Sequence, residues 1–152
     1  MNKTLLSAGL ALVVGLGYSL SAFAQAKPEV LVKQRQAAMT LVGKYWGPVN
    51  RMRQGKAPFN ADVAARNAGY LAALSKMPWD GFVASTKDTT AKTRALPEIW
   101  ENPDKFKQAA DNFQSAAAKL AAVSKGDEDG FKAAAGALGK TCGGCHNDFR
   151  QK

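Results

Sequence analysis

Both cysteines and the single histidine of this 152-residue chain fall within five consecutive positions, Cys142-Gly143-Gly144-Cys145-His146. A disulfide framework needs dispersed pairs, and a closed zinc site needs four ligands, more Cys and His than the chain owns. Neither device is available to hold the fold together.

The other end of the chain reads as an export signal. Asn2 and Lys3 open it, Leu5 to Leu20 is almost wholly apolar, and Ala22-Phe23-Ala24 is a small-x-small cleavage site. A membrane anchor would need about 20 apolar residues and positive stop-transfer flanks. Residues 1–24 are therefore expected to be cleaved and residues 25–152 to form one domain, without membrane insertion, in the periplasm of a Gram-negative bacterium. The formal net charge is +9, and the signal holds only Lys3 of it. An exported basic protein does not meet chromosomal DNA, so no nucleic-acid partner is expected. The charge either steers the protein toward acidic redox partners or anionic membrane surfaces, or is a solvated surface with no dedicated partner.

Beyond Gln25 the apolar spacing is helical in four stretches and alternating in none. The first opens at Pro28 and places Leu31, Arg35, Ala38, Val42, Tyr45 and Val49 at steps of three and four, with Gly47-Pro48 expected to bend or briefly break it. The second takes Asn60 as its cap, runs through Val63, Asn67, Tyr70, Leu74 and Met77, and stops at Pro78. A long connection from Pro78 to Asn102 holds Trp79, Phe82, Leu96, Ile99 and Trp100, and its aromatics predict a packed cover. The third stretch starts at Asn102-Pro103, repeats Phe106, Ala109, Phe113, Ala116, Leu120 and Val123, and is expected to end at Gly126. The fourth begins near Asp127 and aligns Phe131, Ala134, Leu138, Cys142, Cys145 and Phe149. Segments of roughly 18 to 25 residues reach about 27 to 38 Å. The expectation is an all-α, antiparallel up-down-up-down four-helix bundle with the cysteine motif facing inward.

C-x-x-C-H is the signature of covalent haem attachment, in which both thiols become thioethers and the histidine lies beneath the iron. A redox-active C-x-x-C would sit at a strand-to-helix junction, not near the end of an all-helical chain. A zinc half-site would need carboxylates to complete it, and a disulfide between residues three apart is strained and leaves the histidine unexplained. Helix-interior glycines cost roughly 1 kcal/mol each, yet Gly136, Gly139, Gly143 and Gly144 all occur here. Close approach of a flat macrocycle offsets that cost on one reading; an irregular last helix is the other. With His146 used on one side of the iron, no second histidine exists for the other side. Met39, four residues after Arg35 and so on the same helical face, either ligates the iron or blocks that side as an apolar residue. Met52 and Met77 read as ordinary core.

The chain resembles the cytochrome c' family of class II c-type cytochromes over essentially all of residues 25–152. The resemblance rests on the motif at the carboxyl end followed by Arg150, and on Lys27-Pro28-Glu29, Arg35-Gln36-Ala37-Ala38-Met39, Pro78-Trp79-x-x-Phe82 and Pro97-Glu98-Ile99-Trp100. It implies one covalently bound haem c inside a left-handed antiparallel four-helix bundle, and homodimers joined through the first two helices. It also implies five-coordinate, high-spin iron with an apolar distal pocket that takes up nitric oxide and carbon monoxide. His146 would be the proximal ligand and Met39 the distal residue. Arg35 and Gln36 would meet the haem propionates, Thr93 or Arg94 would close that edge, and Arg150 would flank the proximal face. The segment from Ser85 to Arg94 matches least.

An apolar distal pocket favours carbon monoxide and nitric oxide over dioxygen, which gains more from a hydrogen-bond donor. A donor such as Tyr45 or Trp79 facing the iron would reverse that preference. The expected function is gas binding with redox cycling; the alternative is a low-spin electron carrier with Met39 as sixth ligand. An enzymatic role would need acid-base groups beside the distal face, and none is evident at helical spacing from Met39.

Overall fold

Local chemistry sets where the helices begin. In the computed structural model, which describes residues 26–152, Asn60 accepts a hydrogen bond from the Val63 amide and Asp127 one from the Gly130 amide. Each satisfies a donor that a helix start would otherwise leave unpaired. Proline occupies the first turn of two others, where its missing N–H costs nothing. The resulting helices are α1 (Pro28–Arg53), α2 (Ala61–Leu74), a one-turn α3 (Glu98–Glu101), α4 (Pro103–Val123) and α5 (Glu128–Phe149). The expected signal and its cleavage site lie outside the described residues.

The long helices form the expected four-helix bundle: α1 packs on α2 and α5, α2 on α4, and α4 on α5. Among the described residues the only extended pairing is an isolated bridge between Ala95 and Arg150. One end of the bundle is filled by Val49, Met52, Ala64, Ala68, Leu71, Ala117, Leu120, Phe131, Ala135 and Leu138.

Several details differ from the periodicity. Pro48 does not interrupt α1, which runs through it; Val49 and Met52 beside it are buried, and packing outweighs the one lost backbone bond. The buried stripe of α2 is Ala64, Asn67, Ala68, Leu71 and Leu74, because small alanines admit a close neighbour, and Tyr70 is 45% exposed. Met77 is not core: α2 ends at Leu74 and leaves it 56% exposed. Val123 is likewise exposed, and Gly126 does not adopt the left-handed cap, since α4 closes at Ser124. The connection from Pro78 is ordered by two short 3-10 turns, Trp79–Phe82 and Ala84–Thr86, and by α3.

Candidate haem site

At the other end the bundle is hollow. Between residues 35–46 of α1 and 141–150 of α5 lies a cavity of about 490 Å³. Phe106 and Phe113 of α4, with Trp79, Phe82 and Ile99 of the connection, complete its wall. These aromatics form a continuous lining, with Phe82 and Phe106 at 4.9 Å, Phe106 and Phe149 at 5.3 Å, and Trp79 edge-on to both Phe106 and Phe113. Cys142, Cys145, His146, Arg35, Gln36, Met39, Thr93, Arg94 and Arg150 all line this one cavity. Steps of three and four along α5 put Cys142, Cys145, His146 and Phe149 on one face.

Burial keeps the cysteines as thiols. It raises Cys142, and it lifts Cys145 to about 11, helped by Cys142 and Asp148 nearby. Reactive redox cysteines have the opposite shift, and Cys142 and Cys145 both lie inside α5, not at the strand-to-helix junction of a thioredoxin-like site. His146 is lowered, first by burial and then by Arg150 and Arg94, which leaves a neutral imidazole with a lone pair for a metal. Arg150 Nη1 lies 3.5 Å from His146 Nδ1.

Arg35 is the most unusual group of the rim. It is 3% exposed, and its Nη1 donates to the Gly81 carbonyl at 2.7 Å and to Thr86 Oγ1 at 3.1 Å. Nη2 donates to Thr93 Oγ1 at 3.1 Å, and the guanidinium lies 4.3 Å over the Phe82 ring. Its partners among the described residues are neutral, and burial lowers its pKa. A buried cation without a counter-charge is costly. Two thiols and an imidazole on one wall, an apolar interior and an unpaired guanidinium at the rim fit a flat macrocycle bearing carboxylates and an iron.

Four more polar side chains around the cavity are tied back into the protein. Gln36 Nε2 donates to the Lys92 carbonyl, Thr40 to Gln36, Thr141 to Leu138, and Arg94 to Gln151 through two nitrogens. Backbone bonds from Leu96 to Phe149 and from Gln151 to Arg94 clamp the connection against the end of α5. The two possible distal donors are also settled. The Trp79 indole N–H donates to the Ser75 carbonyl at 2.6 Å, and Tyr45 lies outside the lining, 4.5 Å from Tyr70.

Sequence reasoning missed Gly81, Thr86 and Trp46. A Cβ on Gly81 would come within 2.9 Å of Arg35 Cβ, so only glycine lets the turn approach Arg35. Thr86 is fully buried beneath the guanidinium. Trp46 lines the cavity one heptad beyond Met39, a spacing that would have found it.

The Cytochrome C' family model matches residues 30–150. Cytochrome c' of Rubrivivax gelatinosus is 44% identical over 127 residues, covering 83% of this chain and 98% of the relative. Its crystal structure superposes with a TM-score of 0.78 over 82% of this chain and 98% of the other. A nitric oxide complex of a variant cytochrome c prime from Alcaligenes xylosoxidans, 38% identical, reaches 0.76 over 84% and 98%.

Proposed function

The chain belongs to the cytochrome c' family and carries one covalently attached haem c, and from that premise we propose that it binds nitric oxide and carbon monoxide at an open iron site and transfers electrons. Cys142 and Cys145 would hold the haem as thioethers and His146 would bind the iron. Arg35 and Gln36 would meet the propionates, Thr93 and Arg94 would close that edge, and Arg150 would flank the histidine. Met39 would face the iron from the other side as an apolar plug. The haem supplies a redox-active iron that takes up diatomic gases.

The tied-back donors carry this reading. Gln36, Thr40, Trp79, Arg94 and Thr141 of the lining already donate within the protein, and Met39, Val42, Phe113 and Trp79 present apolar surface to the interior. Such a pocket gives bound dioxygen little help, whereas carbon monoxide and nitric oxide depend much less on a donor. The nitric oxide complex of the Alcaligenes relative supports carrying that ligand to this chain. No Asp or Glu lines the cavity among the described residues, which favours binding over acid-base catalysis.

The ferric absorption and electron paramagnetic resonance spectra test the proposal. High-spin iron without a methionine-to-iron charge-transfer band is expected; a low-spin six-coordinate spectrum would instead establish Met39 as a ligand and the protein as an electron carrier. Met39→Ala is expected to speed carbon monoxide association by about tenfold, a barrier change of about 1.4 kcal/mol. Unchanged kinetics would remove Met39 from the distal face. We also place the protein in the periplasm, cleaved after Ala24, so that the purified native chain should begin at Gln25. A homodimer through α1 and α2, whose outer faces expose Leu41 and Tyr70, should sediment as twice the chain mass.

A further inference from the structure

Positive charge is not spread evenly over this protein. From Val30 to Ala61 the chain carries Lys33, Arg35, Lys44, Arg51, Arg53 and Lys56 and no acidic residue, so this segment supplies most of the formal net charge of +9. Elsewhere acids and bases alternate and pair, as in Lys87 with Glu101, Lys105 with Asp148, Lys107 with Asp111 and Lys132 with Glu128. The basic segment is mostly α1, the helix that also forms one wall of the haem cavity.

A second cleft, of about 390 Å³, opens between α1 and α5 and is lined by Trp46, Asn50, Arg53, Gly136, Gly139 and Lys140. Trp46 lines both hollows, so its indole is the wall between this cleft and the haem cavity. The ring is seated close on α5: a Cβ on Gly139 would lie 3.2 Å from Trp46 Cζ2. Neither Arg53 nor Lys140 has a carboxylate partner among the described residues. Arg53 donates instead to Asn50 Oδ1, at 3.1 and 2.8 Å.

We infer that this cleft is the docking site for an acidic redox protein, whose carboxylates meet Arg53 and Lys140 and whose electron crosses by way of Trp46. The inference rests on the haem reading above. Charge complementarity selects the partner: Arg53 and Lys140 bring to the cleft two cations without carboxylate partners among the described residues, and the net positive charge of the protein steers an acidic surface into encounter, which these two then orient. The indole floor then places the encounter one side chain from the haem cavity. In the transfer step one electron leaves the partner's reduced centre and reduces ferric iron to ferrous; no bond is made or broken.

The ferric holoprotein mixed with flavodoxin hydroquinone, an acidic one-electron donor that ends as its semiquinone, tests the inference. The second-order rate is expected to fall steeply with ionic strength. Arg53→Glu/Lys140→Glu is expected to slow it by about tenfold at low salt and to remove most of the salt dependence. Lys140→Gln alone should slow it less, and Lys119→Glu/Lys125→Glu, on and beyond α4, should leave it unchanged. Carbodiimide coupling, which needs no electron transfer, should join Lys140 to flavodoxin carboxylates. Equal slowing by the α4 pair, a salt-independent rate, or coupling that spares Lys140 would each overturn the docking site. Dithionite reduction and haem staining of every variant keep the premise separate: their failure in the wild type would overturn the haem reading instead.

Discussion

The two halves of α5 obey different rules. From Glu128 to Leu138 the helix fills the bundle, with Phe131, Ala135 and Leu138 fully buried against Leu71, Leu120 and their neighbours. From Gly139 onward only Phe149 is buried, and Thr141, Cys142, Cys145 and His146 face a hollow. A helix that served only to pack would continue the first pattern. The second half instead presents groups that a core does not want, two raised thiols and an imidazole, to a space bounded by aromatics. One end of this bundle is completed by its own side chains and the other, on the proposal above, by its haem.

The largest test of that division removes the thiols. Cys142→Ser/Cys145→Ser is expected to abolish covalently bound haem entirely, read as loss of haem staining on a denaturing gel. Phe131→Ala should do the reverse, lowering unfolding free energy by about 3 to 5 kcal/mol in denaturant titration while each folded molecule keeps its haem. If the serine variant stains, or the alanine variant loses haem in proportion to its stability, the two halves are not separable.

A smaller effect sharpens the boundary at the rim. Arg35→Lys keeps the charge but cannot reach Gly81, Thr86 and Thr93 together. Loss of a bond from a charged donor to a buried acceptor costs about 1.5 to 3 kcal/mol. The cost should appear locally, as faster amide exchange at Thr86, whose N–H bonds to the Val83 carbonyl, with α4 and the packed half of α5 unaffected. Uniform acceleration would mean that Arg35 supports the whole bundle.

The site was legible where its chemistry is local. Cys142, Cys145 and His146 fall within five positions, and Asn60 and Asp127 announce helix starts through their own side chains. The support of Arg35 was not legible, because Gly81 and Thr86 reach it across 46 and 51 residues, Gly81 from an unassigned position of Pro78-Trp79-x-x-Phe82 and Thr86 from the segment with the weakest family match. The inner face of α2 was misjudged for another reason. Ala64 and Ala68 give a weak apolar signal although they are fully buried, whereas Tyr70 gives a strong one and lies outside, against Tyr45.

The smallest effect separates the glycines, which sequence alone left divided between haem approach and helix irregularity. A Cβ on Gly136 meets nothing within 4 Å, whereas one on Gly139 presses on Trp46. Neither glycine has a positive φ, so alanine suits the backbone at both. Gly136→Ala should therefore stabilise α5 by about 0.5 to 1 kcal/mol. Gly139→Ala should fall short of that gain, because the indole must give by a few tenths of an ångström, and should shift the haem absorption through Trp46. Equal melting gains with unchanged spectra would show that Trp46 yields freely and that Gly139 is not needed for its seat.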